Sequence, residues 1–96
     1  MDMLTEVKAY LKITWESENS DLEGYVLRGK SLLDSLTGTA NKYEEEGLAK
    51  SLLFDYVRYA YNNGLEYFQD NFAKEILHLQ IMEGINAMGG DEDVSV

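Results

Sequence analysis

The segment from about Glu46 to Asn62 constrains the fold more than any other part of the chain. Advancing about 100° per residue, as a helix does, Leu48, Leu52, Leu53, Tyr56, Val57, Tyr59 and Ala60 fill half of its circumference. Phe54 and Tyr61, one heptad apart, widen the arc further, and only Ser51, Asp55, Arg58 and Asn62 make a clean polar strip. A helix apolar over so wide an arc is buried on several sides. Other parts of the fold must therefore pack against it on more than one side. In so small a domain, another subunit is a candidate for one of those sides.

The neighbouring segments supply those parts as helices. There is no proline, and glycine, asparagine, serine and aspartate punctuate the chain. A short helix is expected over about Thr5 to Leu11, with Thr5 as its cap and Val7, Tyr10 and Leu11 on one face. Ile13 and Trp15 follow as packing residues, then a polar loop to Ser20. Ser20-Asp21-Leu22-Glu23 fits a capping box and opens a second helix. Leu22, Tyr25, Val26, Gly29, Leu32, Leu33 and Leu36 line one face of it. Gly29 on that face permits a close helix approach, and Gly38 suits a left-handed C-terminal cap. Thr39 to Glu45 reads as a polar linker, and Glu44-Glu45-Glu46 favours the start of the central helix through its dipole.

A last segment begins after Gly64. Leu65, Tyr67 and Phe68 sit near the turn, and Phe72, Ile76, Leu79, Met82 and Ile85 keep helical spacing to about Met88. Asp70 or Asn71 could cap a fresh helix after a break near Gln69. No window alternates apolar and polar residues as a half-buried strand does. The expectation is an all-α fold: a small bundle of about four helices in one domain over residues 1–88. A flexible acidic C-terminal tail is expected over 89–96. Leu32, Leu33, Leu52, Leu53, Tyr56 and Ile76 are the expected core.

Composition removes several classes of function. The 96 residues include no cysteine and one histidine, so neither a disulfide nor a four-ligand zinc cluster can brace the fold. A small chain without such staples often gains stability by oligomerising. With 18 acidic against 8 basic residues, the net charge of −10 opposes binding to nucleic acid and to anionic membrane. No basic-then-apolar leader marks a signal peptide, and no stretch approaches the roughly 20 apolar residues that span a bilayer.

Catalytic and cofactor chemistry find no footing. His78 has no positioned acid–base partner that spacing would suggest. Asp91, Glu92 and Asp93 lack the ligand pattern of a calcium loop, and Gly89-Gly90 leads into acid rather than a phosphate cradle. No catalytic, cofactor-binding or metal-binding residue is therefore assigned, and no enzyme is expected. The one unusual concentration is aromatic: Phe54, Tyr56, Tyr59, Tyr61, Tyr67, Phe68 and Phe72. Such a group either completes a core or anchors a protein interface, where tyrosine and phenylalanine are enriched. Base stacking also needs a basic groove, which this composition does not supply. Phe54, Tyr61, Tyr67 and Phe68 are the candidate interface residues, because a domain this small cannot easily enclose all four.

The wording of the sequence adds a family resemblance. The opening Leu4-Thr5-Glu6-Val7-Lys8-Ala9-Tyr10-Leu11-Lys12-Ile13 resembles the start of the small head–tail connector proteins of tailed phages and prophages. The polar loop followed by Asp21-Leu22-Glu23-Gly24-Tyr25-Val26 fits the same pattern. Leu52-Leu53-Phe54-Asp55-Tyr56-Val57-Arg58-Tyr59-Ala60-Tyr61-Asn62-Asn63 is similar to the family's aliphatic run ending in aromatic and polar residues. Leu65-Glu66-Tyr67-Phe68-Gln69-Asp70-Asn71-Phe72 resembles the variant carried by phages of Gram-positive bacteria. The resemblance covers about Leu4 to Gln80. It rests on patterns of apolar and polar residues, and the chain lacks the proline that many relatives carry near the last helix.

The resemblance implies a helical adaptor that assembles as a ring under the portal protein, dodecameric in the mature virion. It implies extension of the DNA channel and a platform for the stopper or tail-completion protein. The implied location is the virion, with the bacterial host cytoplasm as the site of assembly. The residues alone leave a second reading open, a small acidic helical regulatory or scaffolding protein that binds a single protein partner.

Overall fold

A computed structural model of the protein describes residues 2–90, with side chains as far as Ile85. Five α-helices are present among the described residues, and no strand: α1 (Met3–Leu11), α2 (Asn19–Thr37), α3 (Leu48–Tyr61), α4 (Phe68–Asn71) and α5 (Ala73–Gly90). A 3-10 turn, Leu65–Tyr67, precedes α4. The bundle is all-α as expected, with one helix more than the four read from the pattern. The extra element arises at Phe72, where φ −115° and ψ 23° leave the helical path. There the Phe72 ring turns onto Tyr59 and Phe68, with centroids 5.4 and 5.2 Å away. The break therefore falls three residues beyond Gln69. At the far end α5 continues through Gly90, so the expected tail begins as helix; residues 91–96 lie outside the described residues.

Two caps differ from expectation. Asp2, not Thr5, caps α1: its carboxylate accepts the Thr5 amide at 2.8 Å. That carboxyl is held below its usual range, because the Thr5 amide favours its charged form. The helix ends with Lys12 left-handed at φ 63°, and the Lys12 and Ile13 amides return to the Ala9 and Lys8 carbonyls. In α2 the capping box does not form. The helix starts at Asn19 with Glu18 in the cap position and no side-chain cap bond. The Glu18 carboxylate is taken up by two partners outside the helix, described below. Gly38 closes α2 left-handed at φ 76°, as its sequence position suggested.

α2 and α3 cross closely at Gly29. A Cβ built on Gly29 would meet Leu53 Cδ1 and Tyr56 Cδ1 at 2.7 Å each, so only glycine fits between the helices as they stand. Gly29→Val should therefore destabilise the fold by about 1–3 kcal/mol through overpacking, read as a lower urea midpoint. An unchanged midpoint would show that the helices do not lie this close.

Leu33, Leu52, Leu53, Tyr56 and Ile76 are buried as expected. Leu32 is only half-buried and packs on the margin of the core. Two core residues come from places that read as polar. Tyr43, in the linker, is 3% exposed. Its hydroxyl donates to Asp34 Oδ1 at 2.7 Å, and the Asn41 amide and side-chain nitrogen donate to the same oxygen at 3.0 and 2.9 Å. Lys50 on α3 is also buried, with its ammonium 2.6 Å from Glu6 on α1 and 2.7 Å from Glu46. Glu46, then Glu6, raise the Lys50 pKa above its ordinary value, so the amine stays charged where it is held.

Candidate protein-interaction surface

The four aromatic candidates do not form one cluster. Phe68 is 1% exposed. Its ring meets Tyr56 edge-on at 5.4 Å and Tyr59 at 6.0 Å, so it belongs to the core of the chain itself. Its assignment as an interface anchor is corrected on that ground. Asn63, left-handed at φ 59°, begins the turn that folds the chain back and sends Phe68 inward. Tyr67, one residue earlier, is left 58% exposed. Phe54 is half-buried beside Tyr10, 5.4 Å between centroids, with Lys50 Nζ 5.7 Å from its ring centre.

Tyr61 is half-buried and works as a strap. Its hydroxyl donates to Glu18 Oε1 at 2.8 Å, and the Trp15 indole donates to the same oxygen at 2.8 Å. The segment between α1 and α2 is thereby tied to the end of α3. The Trp15 indole first, then the Tyr61 hydroxyl, hold the Glu18 carboxyl below the usual range, while Glu18 raises the Tyr61 hydroxyl. Tyr10 makes a second tie, donating to Asp55 at 2.9 Å and accepting from Arg58 at 3.2 Å.

Among the described residues, the outer face of α5 carries a run of exposed apolar side chains. Ile76 and Leu79 turn inward and are buried, and Gln80 donates to the Leu36 carbonyl at 2.9 Å, which docks this helix on the end of α2. On the opposite side Leu77, Ile81 and Ile85 are spaced four residues apart and are 55, 51 and 61% exposed. Residues four apart on a helix share a face, so the three form a stripe. Lys74 and His78, both exposed, share the stripe's side of the helix. Glu75 and Glu83 fall on the other half of the turn. Sequence reasoning put Phe72, Ile76, Leu79, Met82 and Ile85 in one row; Ile76 and Leu79 are buried, but Met82 and Ile85 are exposed, and Ile85 belongs instead with Leu77 and Ile81, whose i, i+4, i+8 spacing was readable.

A second surface lies between α1 and α2. Asp2, Met3, Leu4, Glu23, Val26 and Leu27 line a groove of about 480 Å³. Leu27 is the most exposed large aliphatic residue among the described side chains, at 68%. Met3 and Leu4 are half-buried, and the carboxylates of Asp2 and Glu23 stand exposed at the rim. Among the described residues no group of three or more histidine, cysteine, aspartate or glutamate side chains is placed to hold a metal ion, and no helix is long and apolar enough to cross a membrane. What these surfaces offer chemically is contact: apolar area framed by charge. Comparison of the chain with protein-family models, with curated proteins and with solved structures finds no match.

Proposed function

We propose that this chain is a structural adaptor of the head–tail connector type. It would assemble under a portal protein, extend the DNA channel and present a platform for a stopper or tail-completion protein. The observation that carries the reading is the aliphatic stripe Leu77, Ile81 and Ile85, left uncovered on a chain with a net charge of −10. A contiguous apolar row on so polar a chain is surface built to be covered by protein. The acidic remainder repels a DNA backbone that passes close to it. Tyr61, Phe54 and the exposed Tyr67 remain the aromatic contacts proposed for a neighbour or the portal.

The test is reconstitution with the cognate portal protein, viewed by electron microscopy. A second ring stacked beneath the portal is the expected result. Tyr67→Ala should weaken that binding and leave the melting midpoint of the chain alone nearly unchanged, since the ring is mostly in solvent. A portal that stays bare at saturating chain concentration counts against the adaptor. A complex holding one copy of the chain favours the scaffolding protein instead.

A further inference from the structure

We propose that copies of this chain associate head to tail, with the outer face of α5 of one copy seated in the α1/α2 groove of the next. The two surfaces are matched in chemistry. The α5 face is aliphatic, Leu77, Ile81 and Ile85, and is flanked by Lys74 and His78. The groove is floored by Met3, Leu4, Val26 and Leu27, and is rimmed by the carboxylates of Asp2 and Glu23. Apolar meets apolar, and the Lys74 ammonium meets the acidic rim. Gly84, on the stripe side of α5 with nothing within 4 Å of a Cβ built on it, lets the helix backbone lie close to a wall.

A chain cannot fill its own groove. Its α5 is docked at Leu36, and Leu27 lies nine residues before Leu36. Nine residues are about 14 Å along the helix at 1.5 Å per residue, and the stripe of α5 lies on the side opposite the buried Ile76 and Leu79, facing away from its own α2. Symmetric pairing is not favoured by charge. Face against face gives Lys74 no carboxylate from the groove, and groove against groove gives Asp2 and Glu23 no cation from α5. Only the heterologous pairing brings opposite signs together. Such a contact leaves each pair with one free face and one free groove, so it propagates, and it makes a ring when the rotation between copies closes. It thereby deepens the adaptor reading by naming the contact between neighbours, while resting on the two surfaces whether or not a portal is the partner.

One helix face in one groove is a small interface, so association of the isolated chain is weak and concentration-dependent. Sedimentation velocity on the full chain, up to about 1 mM, the weak end of specific association, should show mass rising beyond two subunits. Ile81→Asp and Leu27→Asp each remove one surface at an exposed position, and circular dichroism should show both folded. Each alone should stay monomeric. Mixed together they should form a one-to-one pair and nothing larger, because the intact groove of the first takes the intact α5 of the second. A monomeric wild type, a Leu27→Asp variant that associates like the wild type, or a mixture that stays monomeric overturns the contact. Failure here with portal binding intact removes this contact and keeps the adaptor; self-association with no portal binding does the reverse.

Discussion

Replacing Phe68 with alanine should lower the stability of the folded chain by about 3–5 kcal/mol, the usual cost of deleting a fully buried phenyl ring. The ring is 1% exposed and sits among Tyr56, Tyr59 and Phe72. These come from α3 and from the break before α5, so the cavity would open where the two meet. A domain of this size is stable by only about 5–15 kcal/mol, and the loss is a large share of that. The adjacent Tyr67→Ala should change stability by no more than about 0.5 kcal/mol. Urea titration of the pair, with unchanged slope, checks both. A lower midpoint for Tyr67→Ala than for Phe68→Ala would mean that the inward and outward residues of this turn have been exchanged.

The second large loss is expected at Tyr43. Tyr43→Ala removes a buried ring and should cost about 3–5 kcal/mol. Tyr43→Phe keeps the ring and removes a hydrogen bond to a carboxylate, at a cost of about 1.5–3 kcal/mol. Burial first, then the neighbouring Asp34 carboxylate, push the Tyr43 hydroxyl well up, so it remains a donor at any ordinary pH. For Asp34, burial opposes ionisation, but the Asn41 amide, the Tyr43 hydroxyl and the Asn41 side chain together outweigh it and hold the carboxyl below its usual value. A carboxyl lowered in the folded state contributes its stability in full above the unfolded pKa of about 3.9. That contribution disappears as pH falls through the folded value. Asp34→Asn should therefore be less stable than the wild type at neutral pH, and the gap should narrow below about pH 4. A gap that is constant from neutral pH into acid would show that the carboxylate is not held as described.

The legible parts of this fold are those where one segment carries its own signal. α3 declared itself by its wide apolar arc. Gly38 and Gly29 were readable because each does something only glycine does well, one at positive φ and one at a close crossing. The misread parts depend on partners far along the chain. Ser20 had every local feature of a cap, but Glu18 is held by Tyr61, 43 residues away, and the helix start moves with it. Tyr43 stands alone in a polar stretch, where no period reveals that it points inward. Tyr67 and Phe68 are neighbours, so composition cannot tell which of them is buried; the turn at Asn63 decides it. At the candidate site the aromatic residues drew attention through their number, whereas the exposed aliphatic row of α5 was hidden by the buried row on the same helix.

The ion pair at Lys50 bears on more than the core. α1 has nine residues, with Val7 its only buried one, and a helix so short does not persist on its own in water. Lys50 grips it through Glu6, and Asp55 and Arg58 grip it through Tyr10. α1 is thus held to α3 by these ties rather than by its own length, and cutting them would release it. When it opens, Asp2, Met3 and Leu4 leave with it, and one wall of the groove goes too. The groove's receiving wall therefore depends on contacts made a helix away, at Lys50, Asp55 and Arg58 of α3.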